Sequence, residues 1–219
     1  MRRVFHRSAN TLSRVTIFGF VFLFAAVLWI TIAIGRSSYV TDVGVARPQP
    51  VPFSHQHHAG NVGIDCRYCH VTVETSAFAG MPATQICMQC HSQIWSTSPL
   101  LEPVRASFSS GHPLQWTRVH NLPRFTYFDH SIHVKQGVGC STCHGRVDQM
   151  SETVAVKPMY MEWCVDCHRN VGKYLRPREE VFNMNWQLPA NQLALGGKLI
   201  ADYHIKDARS LIACSTCHR

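Results

Sequence analysis

The sequence predicts a mainly irregular chain with short α-helices and one N-terminal transmembrane helix, and three observations predict it. All ten cysteines fall in five copies of one pentapeptide, with none left over. Val15 to Ile34 is a run of twenty residues without a charge. Between the pentapeptides, prolines and glycines interrupt any long helical or alternating pattern, so no extended sheet or bundle is expected.

The pentapeptides are Cys66-Arg-Tyr-Cys69-His70, Cys87-Met-Gln-Cys90-His91, Cys140-Ser-Thr-Cys143-His144, Cys164-Val-Asp-Cys167-His168 and Cys214-Ser-Thr-Cys217-His218, hereafter motifs 1 to 5. Two thiols one helical turn apart followed by an imidazole is the attachment pattern of c-type haem: the thiols add to the porphyrin vinyl groups and the histidine takes one axial position on iron. A disulfide framework has no reason to place a histidine after every second cysteine. Zinc knuckles and redox dithiols use paired cysteines too, but five copies of the one Cys-x-x-Cys-His pattern speak for haem. The expectation is five covalent haems, with His70, His91, His144, His168 and His218 as proximal ligands.

From the N-terminus, residues 1–14 carry Arg2, Arg3, Arg7 and Arg14 and no acid. The apolar run 15–34 then reaches about 30 Å at about 1.5 Å per residue, the thickness of a bilayer's hydrocarbon core. The arginines favour a cytoplasmic N-terminus. The run is longer than a signal-peptide core, and Gly35-Arg36-Ser37-Ser38-Tyr39 is a poor cleavage site, so an uncleaved anchor is expected. Everything beyond it then lies on the outer, periplasmic face of a bacterial inner membrane, where c-type haem is attached.

The formal charge of +8 does not point to nucleic acid. Four of the 21 basic residues precede the span, leaving 17 against all 13 acidic ones, and the propionates of five haems add negative charge. No basic run or glycine-rich phosphate loop is present.

Residues 35–52, ending in Arg47-Pro-Gln-Pro-Val-Pro52, read as an extended spacer. A four-haem region, 53–175, follows as two units, 53–97 and 128–175. Each opens on paired histidines: Phe53-Ser-His55-Gln-His57-His58 and Phe128-Asp-His130-Ser-Ile-His133, eleven and ten residues ahead of the next cysteine. Each pair precedes two motifs, spaced 21 residues in the first unit (Cys66 to Cys87) and 24 in the second (Cys140 to Cys164), the signature of a duplication. Helices are expected over Gln85–Trp95 and Glu162–Leu175.

Five irons need five distal ligands. The expected set is His55, His58, His120, His130 and His133, with His130 on the haem of motif 3 and His133 on another, so that one helical turn clasps two haems. His120 lies in Trp116-Thr-Arg-Val-His120-Asn-Leu-Pro123 between the units. In an ordinary protein it would be a packed histidine; here the demand for ligands favours iron. His204, ten residues before Cys214 as His130 is before Cys140, and His112, before a proline, are alternatives. Met81, Met150, Met159 and Met161 could also ligate and would raise a haem's potential, although each reads more simply as packing. His57 is expected to be exposed.

Residues 176–219 are a C-terminal extension carrying the fifth haem. Arg176 to Ile200 has no motif and is expected to be a long connection whose aromatics pack along a partner subunit. With so little regular structure, the porphyrins must supply much of the interior, and the apoprotein is expected to be disordered.

The order of these features, an anchor, Phe-Ser-His-x-x-His before two motifs, Trp-Thr-Arg-Val-His-Asn-Leu-Pro, Phe-Asp-His-x-x-His-Val before two more, and a terminal Cys-Ser-Thr-Cys-His-Arg, resembles the pentahaem cytochrome subunit of alternative complex III, a bacterial quinol:electron-acceptor oxidoreductase. The likeness runs over essentially the whole chain, His204 being its departure, and the Phe-x-His-x-x-His units are similar to class III multihaem cytochromes generally. The resemblance implies an electron-relay subunit rather than a catalyst by itself. It also implies partners: an iron–sulfur subunit, quinol-binding membrane subunits and a mono-haem cytochrome. Two other readings stay open. A stand-alone membrane-anchored quinol dehydrogenase of the small multihaem type would start its motifs soon after the span, whereas 31 residues lie between Ile34 and Cys66. A multihaem reductase would need an open iron or an acid–base pocket, and the sequence advertises neither.

Overall fold

Every motif forms a turn of helix: Cys66–Cys69, Thr84–His91, Cys140–His144, Met161–Arg169 and Cys214–Cys217. Residues three apart on a helix share a face, so the two sulfurs of each motif lie side by side and the histidine follows at the helix end. At motif 1 the start is fixed by Asp65, whose carboxylate accepts the Arg67 backbone N–H at 2.8 Å. The structure, a computed structural model, describes residues 5–218.

The chain divides into two units, 1–43 and 44–219. In the first, one helix runs over Ala9–Arg36, 28 residues, and ends where Ser37 turns extended. It is longer than the 15–34 run because the uncharged stretch counts only the apolar centre, whereas the backbone stays helical through Arg14 into the polar flank. Its apolar side chains are exposed along its length, and it is long and apolar enough to cross a membrane. Arg2 and Arg3 lie outside the described residues.

The second unit contains no strand among the described residues, only an isolated antiparallel bridge between Val138 and Leu175. Its helices are short, the longest being Gln192–Asp202. Among the described residues eight apolar side chains are buried, and only Leu175 and Val181 completely. One cluster, Val51, Leu101 and Val104, is joined by Cys87, Met88, Leu114 and Trp116 at motif 2. A polypeptide of this size ordinarily buries about two thirds of its surface in one continuous core. The scattered core here leaves interior room for large prosthetic groups.

Several elements differ from their sequence-based outlines. The spacer is extended but not free. Gln49 donates to the Thr117 carbonyl at 3.0 Å, the Thr117 hydroxyl donates to the Pro48 carbonyl at 2.9 Å, and Val51 is buried, so the segment is sewn to the body from Pro48 onward. The motif 2 helix stops at His91, and Trp95 takes a left-handed φ of 53°. At motif 4 the helix ends at Arg169 and continues as a 3-10 turn over Val171–Lys173, because the Asn170 side chain folds back onto the Asp166 carbonyl.

The connection Arg176 to Ile200 is not structureless. It holds a 3-10 turn, Arg178–Glu180, and the start of the helix Gln192–Asp202. Gly196-Gly197 disguised this helix as a breaker. Gly196 instead serves close packing, since a Cβ there would run into the backbone of Gly172. Two aromatics of this stretch, Phe182 and Trp186, are half-buried and lie against arginines, Arg67 over the Phe182 ring at 4.6 Å and Arg176 beside Trp186 at 5.9 Å.

Candidate metal centres

The two histidine clasps share one geometry. Phe53 stacks on His58 with centroids 4.5 Å apart and meets His55 edge-on at 4.9 Å; Phe128 stacks on His133 at 4.5 Å and meets His130 edge-on at 4.8 Å. In each the second ring is held from within its own turn, Nδ1 of His58 donating to the Ser54 carbonyl at 2.8 Å and Nδ1 of His133 to the Asp129 carbonyl at 2.7 Å. The first ring is held by the other unit: His55 Nδ1 pairs with Thr153 Oγ1 at 2.9 Å, and His130 Nδ1 donates to the Ala77 carbonyl at 2.9 Å. Backbone bonds repeat this exchange, Gln56 N–H to the Met150 carbonyl and Ser131 N–H to the Ser76 carbonyl.

Four of the five motif histidines, all but His144, follow the same rule. Nδ1 of His70, His91, His168 and His218 donates to the carbonyls of Gly80, Ile94, Leu211 and Phe125, at 2.8, 3.0, 3.0 and 3.0 Å. A carbonyl only accepts, so each ring carries its proton on Nδ1 and presents a bare Nε2. That is the preparation a metal-binding imidazole needs. Among the described residues, His57, His112, His120, His144 and His204 carry no such ring anchor.

Three pairs of rings face one another across a gap of one size. His58 and His91 have centroids 6.1 Å apart with planes at 65°, His130 and His144 6.4 Å at 16°, and His133 and His168 6.2 Å at 26°. Two imidazoles bound to opposite sides of one metal ion, with bonds of about 2 Å each, have centroids about 6 Å apart. The residues therefore fit six-coordinate iron. His55 is an electrostatic neighbour of His70, the remaining motif histidine of the first unit.

His120 is placed differently. Its ring lies 4.4 Å from His144, too close for a metal ion between them, and its buried Nε2 has no hydrogen-bond partner. The segment that bears it is fastened to motif 5: besides the His218–Phe125 bond, the Tyr127 N–H donates to the Cys217 carbonyl at 2.8 Å. The ring nearest His218 is Phe125, at 5.8 Å. Met81 and Met161 are exposed and Met150 is half-buried, its carbonyl taken by Gln56. His204 sits at a left-handed φ of 53°.

Electrostatics agree with neutral ligands. Burial and neighbouring imidazoles push His144 down to about 3 and His55 to about 4, and burial also lowers His120 and His133. Burial lifts the Cys140 and Cys143 thiols to about 12 and Cys167 to about 11, the reverse of what a reactive dithiol requires. All ten thiols are unpaired. Among the described residues no three histidine, cysteine or acidic groups gather as a conventional metal cage. Paired thiols beside paired imidazoles, without such a cage, suit a macrocycle that brings four of the iron's ligands itself.

Sequence reasoning missed Arg176. It is 5 % exposed, donates to Ser141 Oγ at 3.1 Å and to the Asn183 carbonyl at 3.2 Å, and lies where a side chain at Gly139 would be. It thereby pins the spacer of motif 3 to the 176–186 segment. The only signal was the glycine directly before Cys140.

Comparison with known proteins agrees with this chemistry. Residues 35–105 match the class III cytochrome c family and residues 132–219 match cytochrome c3. The menaquinone reductase multihaem cytochrome c subunit of Nitratidesulfovibrio vulgaris is 32 % identical over 127 residues, 58 % of this chain and 54 % of the relative, so the match spans about half the relative's length. Bare imidazole nitrogens set across gaps of one iron, beside paired free thiols, in segments that match these families, identify the chain as carrying multihaem cytochrome c domains of the class III, cytochrome c3 kind, with covalently bound c-type haem.

Proposed function

We propose that this chain is a membrane-anchored pentahaem cytochrome c that relays electrons within a quinone-linked respiratory complex of the alternative complex III kind. The observation that carries the reading is the set of three facing histidine pairs, 6.1 to 6.4 Å apart. An iron closed on both sides has no site for substrate and is suited to passing electrons. Haem bound at these positions supplies reversible one-electron chemistry.

The ligands we assign are His55 with His70, His58 with His91, His130 with His144 and His133 with His168. For motif 5 we assign His120 opposite His218. Its orphaned nitrogen favours this, as does the fastening of its segment to that motif. Nδ1 anchors hold eight of these ten rings in one orientation, which keeps reorganisation on electron transfer small. The apolar helix Ala9–Arg36 would anchor the chain in a bacterial cytoplasmic membrane, N-terminus inside and haem domain outside.

Quinol oxidation in partner subunits releases two electrons and two protons. The protons leave there, and the electrons pass one at a time through this chain, from the quinol-binding and iron–sulfur subunits to a mono-haem cytochrome or an oxidase. The relative's name favours a second direction, because a menaquinone reductase delivers electrons to quinone.

Affinity purification of the full chain from its own membrane in mild detergent tests both. The expected outcome is a multi-subunit complex with five haems per copy of this chain, reducing ferric cytochrome with quinol. Reduction of quinone by reduced cytochrome, without the reverse, would favour the second direction. A chain that purifies alone and oxidises quinol is instead a small stand-alone quinol dehydrogenase. High-spin ferric haem in the resting protein would point to a reductase.

A further inference from the structure

The motifs do not follow one another in space as they do in sequence. Motif 2 joins motif 1: Tyr68 and Gln89, each in the spacer of its own motif, are hydrogen-bonded, and Cys69 and Cys87 are close enough to interact electrostatically. Motif 1 joins motif 3. Arg67 of motif 1 covers Phe182, the adjacent Val181 carbonyl accepts the Cys140 N–H at 3.1 Å, and Cys66 and Cys140 are electrostatic neighbours.

Motif 3 joins motif 4 through the single helix His130–Lys135, which turns His130 toward His144 and His133 toward His168; Cys143 and Cys167 are neighbours as well. Motif 4 joins motif 5: His168 is anchored on Leu211, three residues before Cys214, and Cys164 neighbours Cys217. Among the described residues no hydrogen bond or ring contact joins motif 2 to motif 3, although they are consecutive in the chain.

A second, independent observation marks the ends. Of the ten attachment cysteines only Cys90 in motif 2 and Cys214 in motif 5 are exposed. Beside motif 2 stands Trp95, 64 % exposed, and against motif 5 stands Phe125, 65 % exposed. Exposed aromatic rings at a redox site are suited to transient docking of a partner.

We infer that electrons pass through the five sites in the order 2, 1, 3, 4, 5, motif 5 also lying near motif 3 through His120, and that motifs 2 and 5 are the two outward ends at which partner redox proteins exchange electrons with the chain. The inference rests on the covalent-haem reading above. One electron enters from a reduced iron–sulfur or quinol-oxidising partner at one end and one leaves to a ferric cytochrome at the other, with no proton moved and no bond made or broken. Sequence order would instead put motif 2 in the middle of the path.

The test is the position of the irons in a cryo-electron microscopy map of the purified complex. The expected map shows the iron of motif 1 between those of motifs 2 and 3, with the motif 2 iron having one neighbour within the chain. An iron of motif 2 lying between motifs 1 and 3, or an iron of motif 5 away from that of motif 4, overturns the inference. Potentiometry of the full chain in the complex gives a second readout. Removing the haem of motif 2 (Cys87→Ala with Cys90→Ala) should shift the midpoint of one remaining haem, and removing that of motif 1 (Cys66→Ala with Cys69→Ala) should shift two. The opposite pattern counts against the order. Fewer than five haem additions by intact mass of the unaltered chain defeats the haem reading itself, whereas five haems in another order defeat only this inference.

Discussion

Replacing His133 by glycine removes one imidazole from a single facing pair and leaves the other sites intact. The His133 ring is 6.2 Å from His168, stacks on Phe128 at 4.5 Å, and is held by the Asp129 carbonyl at 2.7 Å. Losing the stack costs about 1 kcal/mol, and losing the hydrogen bond about 1 kcal/mol more. Neither approaches the thioether bonds that keep the haem of motif 4 in place, so the fold should persist. With the five haems proposed above, one iron in five then loses a ligand, and about one fifth of the ferric haem should turn from low-spin to high-spin. Electron paramagnetic resonance with spin quantification measures the fraction. Imidazole added at millimolar concentration should enter the space left by the ring and restore the low-spin spectrum. His57→Gly is the control, since His57 has no ring anchor and faces no motif histidine, touching only the edge of His58 at 5.3 Å and Trp95 at 6.5 Å; its spectrum should not change. A fully low-spin spectrum from His133→Gly would refute the pairing with His168.

Other outcomes follow from the same geometry. The crossed planes of His58 and His91, 65°, should give the haem of motif 2 a strongly anisotropic low-spin resonance, while the near-parallel pairs at motifs 3 and 4, 16° and 26°, should give ordinary rhombic ones; a single class of signal contradicts this. Gly139→Ala places a methyl group where the Arg176 guanidinium lies and should destabilise the motif 3 region by about 1–3 kcal/mol, read as a lower midpoint of thermal haem release; an unchanged midpoint means that the contact yields freely. A full chain with all ten cysteines changed to alanine should be unfolded, because the eight scattered buried apolar residues cannot hold it; a well-dispersed NMR spectrum would show otherwise.

What could be read from sequence is what covalent chemistry spaces rigidly. Cys-x-x-Cys-His must be contiguous, so the five paired thiols with their histidines could be picked out, and Phe-x-His-x-x-His must fit one helical turn, so both clasps were visible. The partners of those histidines were not. Thr153 and Ala77, which hold the first ring of each clasp, lie 98 and 53 residues away from it and belong to no motif. The helix Gln192–Asp202 was hidden because its paired glycines serve a backbone approach to Gly172 rather than a break. His120 was counted as a ligand from supply and demand; which rings lie around it, His144 at 4.4 Å among them, was not legible in the local sequence.

The crossed anchoring of His55 and His130 bears on how such a chain matures. On the proposed topology the segment beyond the anchor crosses the membrane in chain order, so that His55 emerges and motif 1 can be loaded long before Thr153 exists outside the membrane to hold the ring. The first unit should therefore pass through a loosely ligated stage whose iron is open to peroxide, and only completion of the second unit should close it. Chains truncated before residue 150 should accordingly show peroxidase activity that the whole protein lacks, and equal activity in the two would mean that the halves mature independently.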